Sequence, residues 1–219
     1  MKNRIVLAAF LSIVLFLCSC EPTSKPDSSN GKSEAVQIIE SGRNFQIERS
    51  GDISGLHPEL NVYRCSVFDN AGNIMQIREI ESQRLPRYDY IDDNTLRMRY
   101  GAGNVTGHQY FDVEKGFISP LYTNPQLVEN GRIVYMTRNQ DNVIVLVVSD
   151  LYDPSKYYEE FMRDFSPVAV PYNTLHDAEF IDEKNLKVTY ITGTDYQRVT
   201  EIIYLEEMND NELAGASYM

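Results

Sequence analysis

From Phe45 to Leu205 the chain reads as an all-β domain laid out as an antiparallel meander. One reason is texture. Runs of five to nine residues rich in β-branched and aromatic side chains recur along this stretch, and each gives way to a turn of Asp, Asn and Gly. The other is an internal likeness. Tyr90-Ile-Asp-Asp-Asn-Thr-Leu-Arg-Met-Arg-Tyr100 matches Phe180-Ile-Asp-Glu-Lys-Asn-Leu-Lys-Val-Thr-Tyr190 in character, position by position, at an offset of ninety residues. Each holds a strand end, an acidic turn, and a strand that alternates apolar with charged residues.

The turns fall at 69–73, 92–94, 101–104, 114–116, 129–131, 139–142, 182–185 and 193–195. Asn, Asp and Gly suit such places because they tolerate positive φ or bond their own backbone. Asn130-Gly131, ahead of Ile133, Val134 and Tyr135, is the strongest hairpin signal in the chain. Gln126 to Tyr135 is a looser third copy of the repeat. At roughly forty residues per unit, such repeats resemble the blades of a β-propeller, and four units fit between Phe45 and Leu205. No WD, kelch or Asp-box signature accompanies them. A β-sandwich or an open barrel would give the same texture and stays as the alternative.

Within this frame, Val62 to Phe68 predicts a strand with Tyr63, Cys65 and Val67 on one face. Val143 to Val148 is apolar at every position, which calls for cover on both faces and a place in the middle of the sheet stack. Ala35 to Ile39 is too short a run to assign. One segment breaks the pattern: Asp153 as N-cap, Pro154 at the first helical position, and Tyr157, Phe161 and Phe165 at i, i+4 and i+8 predict a short amphipathic helix over 154–165, ended by Pro167.

Ahead of the domain, Lys2 and Arg4 precede a thirteen-residue run from Ile5 to Leu17 whose only polar residue is Ser12. A helix needs about 20 residues to cross a bilayer core, so this run is too short for a permanent span. Leu17-Cys18-Ser19-Cys20 resembles the lipobox of bacterial lipoproteins. That resemblance implies that residues 1–19 are a signal peptide, that Cys20 receives a diacylglyceryl thioether and becomes the new N-terminus, and that the protein is held at the cell envelope on its extracytoplasmic side. Residues 20–33 hold no large apolar side chain and read as a disordered tether. A coil of that length reaches on the order of 20 Å. The folded domain is expected over 34–207, and residues 208–219 read as a flexible tail.

The formal net charge is −12, and losing Lys2 and Arg4 with the signal makes the mature chain two charges more negative. So acidic a surface repels phosphate backbones and anionic headgroups, which argues against nucleic acid as a partner and leaves the lipid as the contact with the membrane. With Cys18 removed and Cys20 lipidated, Cys65 has no partner in an oxidising compartment and is expected as a small buried hydrophobe.

The search for chemistry finds no catalytic set, no metal site and no cofactor motif. His57, His108 and His176 are widely spaced and each sits in a turn-like setting. Gly101 to Gly107 lacks the Lys-Ser/Thr of a phosphate loop and reads as a turn between strands. Asp69 to Asn73 carries part of a calcium-loop spacing but lacks its closing acid, so hairpin chemistry is expected. The expectation is a non-catalytic module that binds an envelope protein or a glycan, through the loops bearing Gly101 to His108 and Tyr152 to Tyr158. A secreted, glycan-directed hydrolase with a carboxylate pair is the alternative.

Overall fold

The structure, a computed structural model, describes residues 37–49, 60–168 and 170–206, which belong to one compact unit of the chain. Cys20, the signal and tether regions, His57 and the tail lie outside the described residues. The architecture is all-β, in four antiparallel sheets, and the described residues contain no α-helix. Among them, no helix is long and apolar enough to cross a membrane.

Each sheet is a meander of consecutive strands. Sheet 1 holds β1 (Gln37–Ser41), β2 (Phe45–Arg49), β3 (Asn61–Phe68) and β4 (Ile74–Ser82). Sheet 2 follows with β5 (Arg87–Tyr90), β6 (Thr95–Ala102), β7 (Val105–Asp112) and β8 (Phe117–Ile118), and β9 (Tyr122–Thr123) pairs with the far end of β7. Sheet 3 is β10 (Leu127–Glu129), β11 (Arg132–Arg138), β12 (Ile144–Asp150) and β13 (Tyr158–Phe161); sheet 4 is β14 (Leu175–Phe180), β15 (Asn185–Thr192) and β16 (Gln197–Tyr204). A sandwich would gather these strands into two sheets and a barrel would close one upon itself. The described strands form neither but four successive antiparallel meanders, with β1 running two residues beyond the short run at Ala35 to Ile39.

The repeat is real in register. Tyr90 faces Leu96 across the β5–β6 turn, and Phe180 faces Leu186 across the β14–β15 turn. In both turns an aspartate organises the backbone: Asp92 accepts from the Asn94 and Thr95 N–H groups at 2.9 and 2.7 Å, and Asp182 from the Lys184 N–H and the Asn185 side chain at 2.8 and 2.9 Å. The third copy is looser because its turn is shorter. Glu129 pairs with Arg132 around Asn130 and Gly131, at φ 51° and 73°, the doubly left-handed turn that matches strand twist.

Packing is face to face between sheets adjacent in sequence. Ile47, Cys65 and Val67 of sheet 1 meet Leu96, Met98 and Phe111 of sheet 2. Tyr110 and Tyr122 of sheet 2 meet Ile133 and Leu151. Val134, Leu146 and Val148 of sheet 3 meet Leu186, Val188 and Tyr190 of sheet 4. Residues 144–149 are therefore all buried, as an apolar strand covered on both sides must be, whereas Val143, the first residue of the expected run, is exposed and lies before the strand. Cys65 is buried with Tyr63 and Val67 on its face, and burial pushes its thiol up to about 11, away from reactivity.

The helix expected over 154–165 is not formed, and this is a correction. Asp153 and Pro154 open a single turn, closed by the Lys156 N–H on the Asp153 carbonyl at 3.0 Å, and the chain then enters β13. A spacing of four residues is one helical turn but also two strand periods, so Tyr157, Phe161 and Phe165 share a side in either conformation. The free edge of β12 decides between them. Its backbone groups at Leu146, Val147, Val148 and Ser149 pair with Phe161, Glu160, Glu159 and Tyr158, satisfying donors and acceptors that a helix would have left open. The aromatic stripe still reaches the core. Tyr157 and Phe165 are buried, Phe161 packs beside them, and Phe165 meets Tyr190 edge to face at 4.9 Å.

Phe165→Ala should therefore destabilise the domain by about 3–5 kcal/mol, read from urea unfolding. An unchanged midpoint would place this side chain outside the core.

Candidate functional site

Sheet 2 has one apolar and one polar face, and the register assigns each residue to its side. Tyr88, Met98 and Gln109 lie opposite one another, as do Tyr90, Leu96 and Phe111, and this side packs on sheet 1. The other side presents two cross-strand rows. One is Arg87, Arg99, His108 and Tyr122, and the other is Asp89, Arg97 and Tyr110. Alternation alone produces this: in Leu96-Arg97-Met98-Arg99-Tyr100, the strand period that buries Leu96 and Met98 sends both arginines the other way.

The polar face holds more positive than negative charge. Arg97 makes a two-point ion pair with Asp89, while the Arg99 Nε stands 3.1 Å from the same carboxylate. That second contact is close enough for Coulomb attraction but is not aligned as a hydrogen bond, and it leaves the buried Nε–H unsatisfied. His108 does not add a balancing group. Burial, together with the neighbouring Arg97 and Arg99, lowers its pKa to about 4, so it is neutral at pH 7. Its Nδ1 lies 3.4 Å from the Tyr110 hydroxyl, and burial raises Tyr110 to about 12.

Beside this cluster opens a cleft of about 500 Å³ lined by Glu40, Arg84, Arg87, Arg99, Tyr100 and Thr106. Glu40 comes from β1 and Arg84 from the connection between β4 and β5. The rim is shaped by Gly101, at φ 147°, where an added Cβ would fall 2.2 Å from the Val105 carbonyl oxygen. Arg87 and Arg99 stand directly opposite each other on β5 and β6, a juxtaposition of like charges that costs stability. Among the described residues, neither Arg84 nor Arg87 makes an ion pair, and Glu40 makes none either.

A second groove, near Glu129, Asp182 and Glu183, gathers acids. Asp182 is fixed by its own turn, and the Asn185 side chain and Lys184 N–H hold its carboxyl below the usual range. Asp69 behaves likewise, accepting from the Ala71 and Asn73 N–H groups at 2.9 and 2.8 Å, as hairpin chemistry expects. These carboxylates serve turns.

Of the loops expected to carry binding, Gly101 and Thr106 line the cleft, whereas Tyr152 to Tyr158 lies at the sheet 2–sheet 3 contact and along β13. The two described histidines depart from the turn-like setting expected for them: His108 is in mid-strand and half buried, and His176 is exposed on β14. Arg97 and Arg99 were visible in the sequence only as alternation along one strand. That both share one carboxylate, and that Arg84 joins them, is a product of register and of the β4–β5 connection.

The depressed His108 pKa has a definite sign. The unfolded chain takes up this proton near pH 6.5 and the folded protein only near 4, so the stability tied to a neutral His108 is complete above 6.5 and is lost as pH falls toward 4. His108→Gln should flatten the dependence of unfolding free energy on pH across that window. An unchanged slope would mean that His108 titrates normally.

Comparison with known proteins finds no family model, no curated protein and no solved structure that matches this chain.

Proposed function

We propose that the chain is an envelope lipoprotein, anchored through Cys20 on the extracytoplasmic side, whose β domain is a non-catalytic module binding an anionic partner in the arginine-lined cleft. The observation that carries the binding role is the placement of Arg84, Arg87 and Arg99 around one open space in a chain whose net charge is −12. A cationic spot on an acidic surface admits anions locally and repels them elsewhere, which favours selectivity over bulk adhesion. Arginine suits the task because it stays charged and offers a planar fork of donors to carboxylate or phosphate.

The anchor rests on Leu17, Ser19 and Cys20 in the sequence. A tether following the lipid would raise the effective concentration of the domain near envelope components without any chemistry of its own. Asp69, Asp92, Asp153 and Asp182 accept hydrogen bonds within their own turns, which hold their carboxyls below the ordinary value, so these four do not supply the raised general acid that glycoside hydrolysis needs.

Three measurements test the proposal. Cys20→Ala should yield a chain that carries no lipid by mass spectrometry and no longer fractionates with membranes; lipid still present would overturn the anchor. For the domain, the purified full chain in detergent should retain a partner from solubilised envelopes, and the charge-reversed Arg84→Glu/Arg87→Glu variant, folded by circular dichroism, should lose it. Equal recovery by the two proteins would overturn the cleft as the site. Hydrolytic turnover that vanishes on changing a carboxylate pair would overturn the non-catalytic role.

A further inference from the structure

The cleft is cationic on one side only. Arg84, Arg87 and Arg99 line it from the β4–β5 connection and sheet 2, while Glu40 lines it from β1, in sheet 1. Glu40 and the arginines around the same space carry opposite charge, and Glu40, exposed on β1, forms no ion pair within the described residues, so its carboxylate is open to a ligand. Their backbones belong to different sheets, joined through the buried Ile47, Cys65 and Val67 on one part and Leu96, Met98 and Phe111 on the other. β1 buries none of its own residues and is carried on that core by its pairing with β2, in which Glu40 stands opposite the buried Ile47.

From this geometry we infer that the cleft takes a dipolar ligand: a short peptide whose carboxylates lie on the arginines and whose free ammonium group faces Glu40. This rests on the anion-binding reading and narrows it. A polyanion would satisfy the arginines but would bring like charge onto Glu40, a built-in element of rejection. A ligand with a positive group at the other end satisfies both walls at once. The space fits, since about 500 Å³ is within the range of small-ligand sites and suits two or three residues. Leu85 and the Tyr100 ring supply apolar wall between the charged ends. Arg78 lies over the Tyr100 ring at 5.5 Å and steadies it.

The test is calorimetric titration of the purified full chain with alanyl-glutamate, which carries two carboxylates and one ammonium, with its N-acetyl derivative, and with inorganic pyrophosphate. The dipeptide should bind, and Arg87→Gln should weaken it by about tenfold, as expected for loss of a charged partner. N-acetylation should weaken binding to the native chain by about three- to fivefold, the effect of one partly exposed ion pair. In Glu40→Gln the free and acetylated peptides should bind alike, and pyrophosphate should bind more tightly than to the native chain. Pyrophosphate binding with no dipeptide binding, or a Glu40→Gln variant that binds the free peptide as well as the native chain does, would overturn the dipolar ligand and leave the anion site standing. Failure of both the dipeptide and pyrophosphate would overturn both readings.

Discussion

A strand has two faces, and in the two central sheets both are already committed. Sheet 2 puts Tyr88, Leu96, Met98 and Tyr100 against sheet 1, and sheet 3 buries Leu146 and Val148 against sheet 4 and Ile133 against the tyrosines of sheet 2. Charged residues at odd positions of β5 and β6 are thus kept off the side that packs on sheet 1, because a one-residue slip would send Leu96 and Met98 out of the core. The arginine cluster follows from this constraint.

Its energetics are those of an incompletely neutralised site. Two guanidiniums and one carboxylate leave a surplus, His108 is too desolvated to be charged at neutral pH, and Arg87 adds a cation opposite Arg99. Most surface charge arrangements in a protein are indifferent to stability. One that places like charges in register and leaves a buried Nε–H without an acceptor is unfavourable in isolation, and local rules of this kind are commonly broken where a ligand supplies the missing partner.

Much of the fold was legible in the sequence. Turn chemistry located the hairpins, down to the aspartates that cap the two equivalent turns at Asp92 and Asp182, and the unbroken apolar run at 143–148 announced a doubly covered strand, correct from Ile144 onward but not at the exposed Val143. The segment after Asp153 was misread because a four-residue spacing satisfies two periods at once, and what settled it, the open edge of β12, is a tertiary fact. The site was harder still. Nothing local distinguishes Arg87 and Arg99 from ordinary solvated charges on an alternating strand. Only the pairing of β5 with β6, and the approach of β1, bring them to one space with Glu40.

If the Arg87–Arg99 juxtaposition is retained for binding at the expense of stability, relieving it should not weaken the folded state. The most direct measurement is the unfolding free energy of ligand-free Arg87→Gln against the native chain, at low and at high salt. Arg87→Gln should be as stable as the native chain or more stable at low salt, with the difference shrinking as salt screens the repulsion. A variant less stable by about 1 kcal/mol or more, with an unchanged denaturant slope, would show that Arg87 stabilises the fold and would contradict the account.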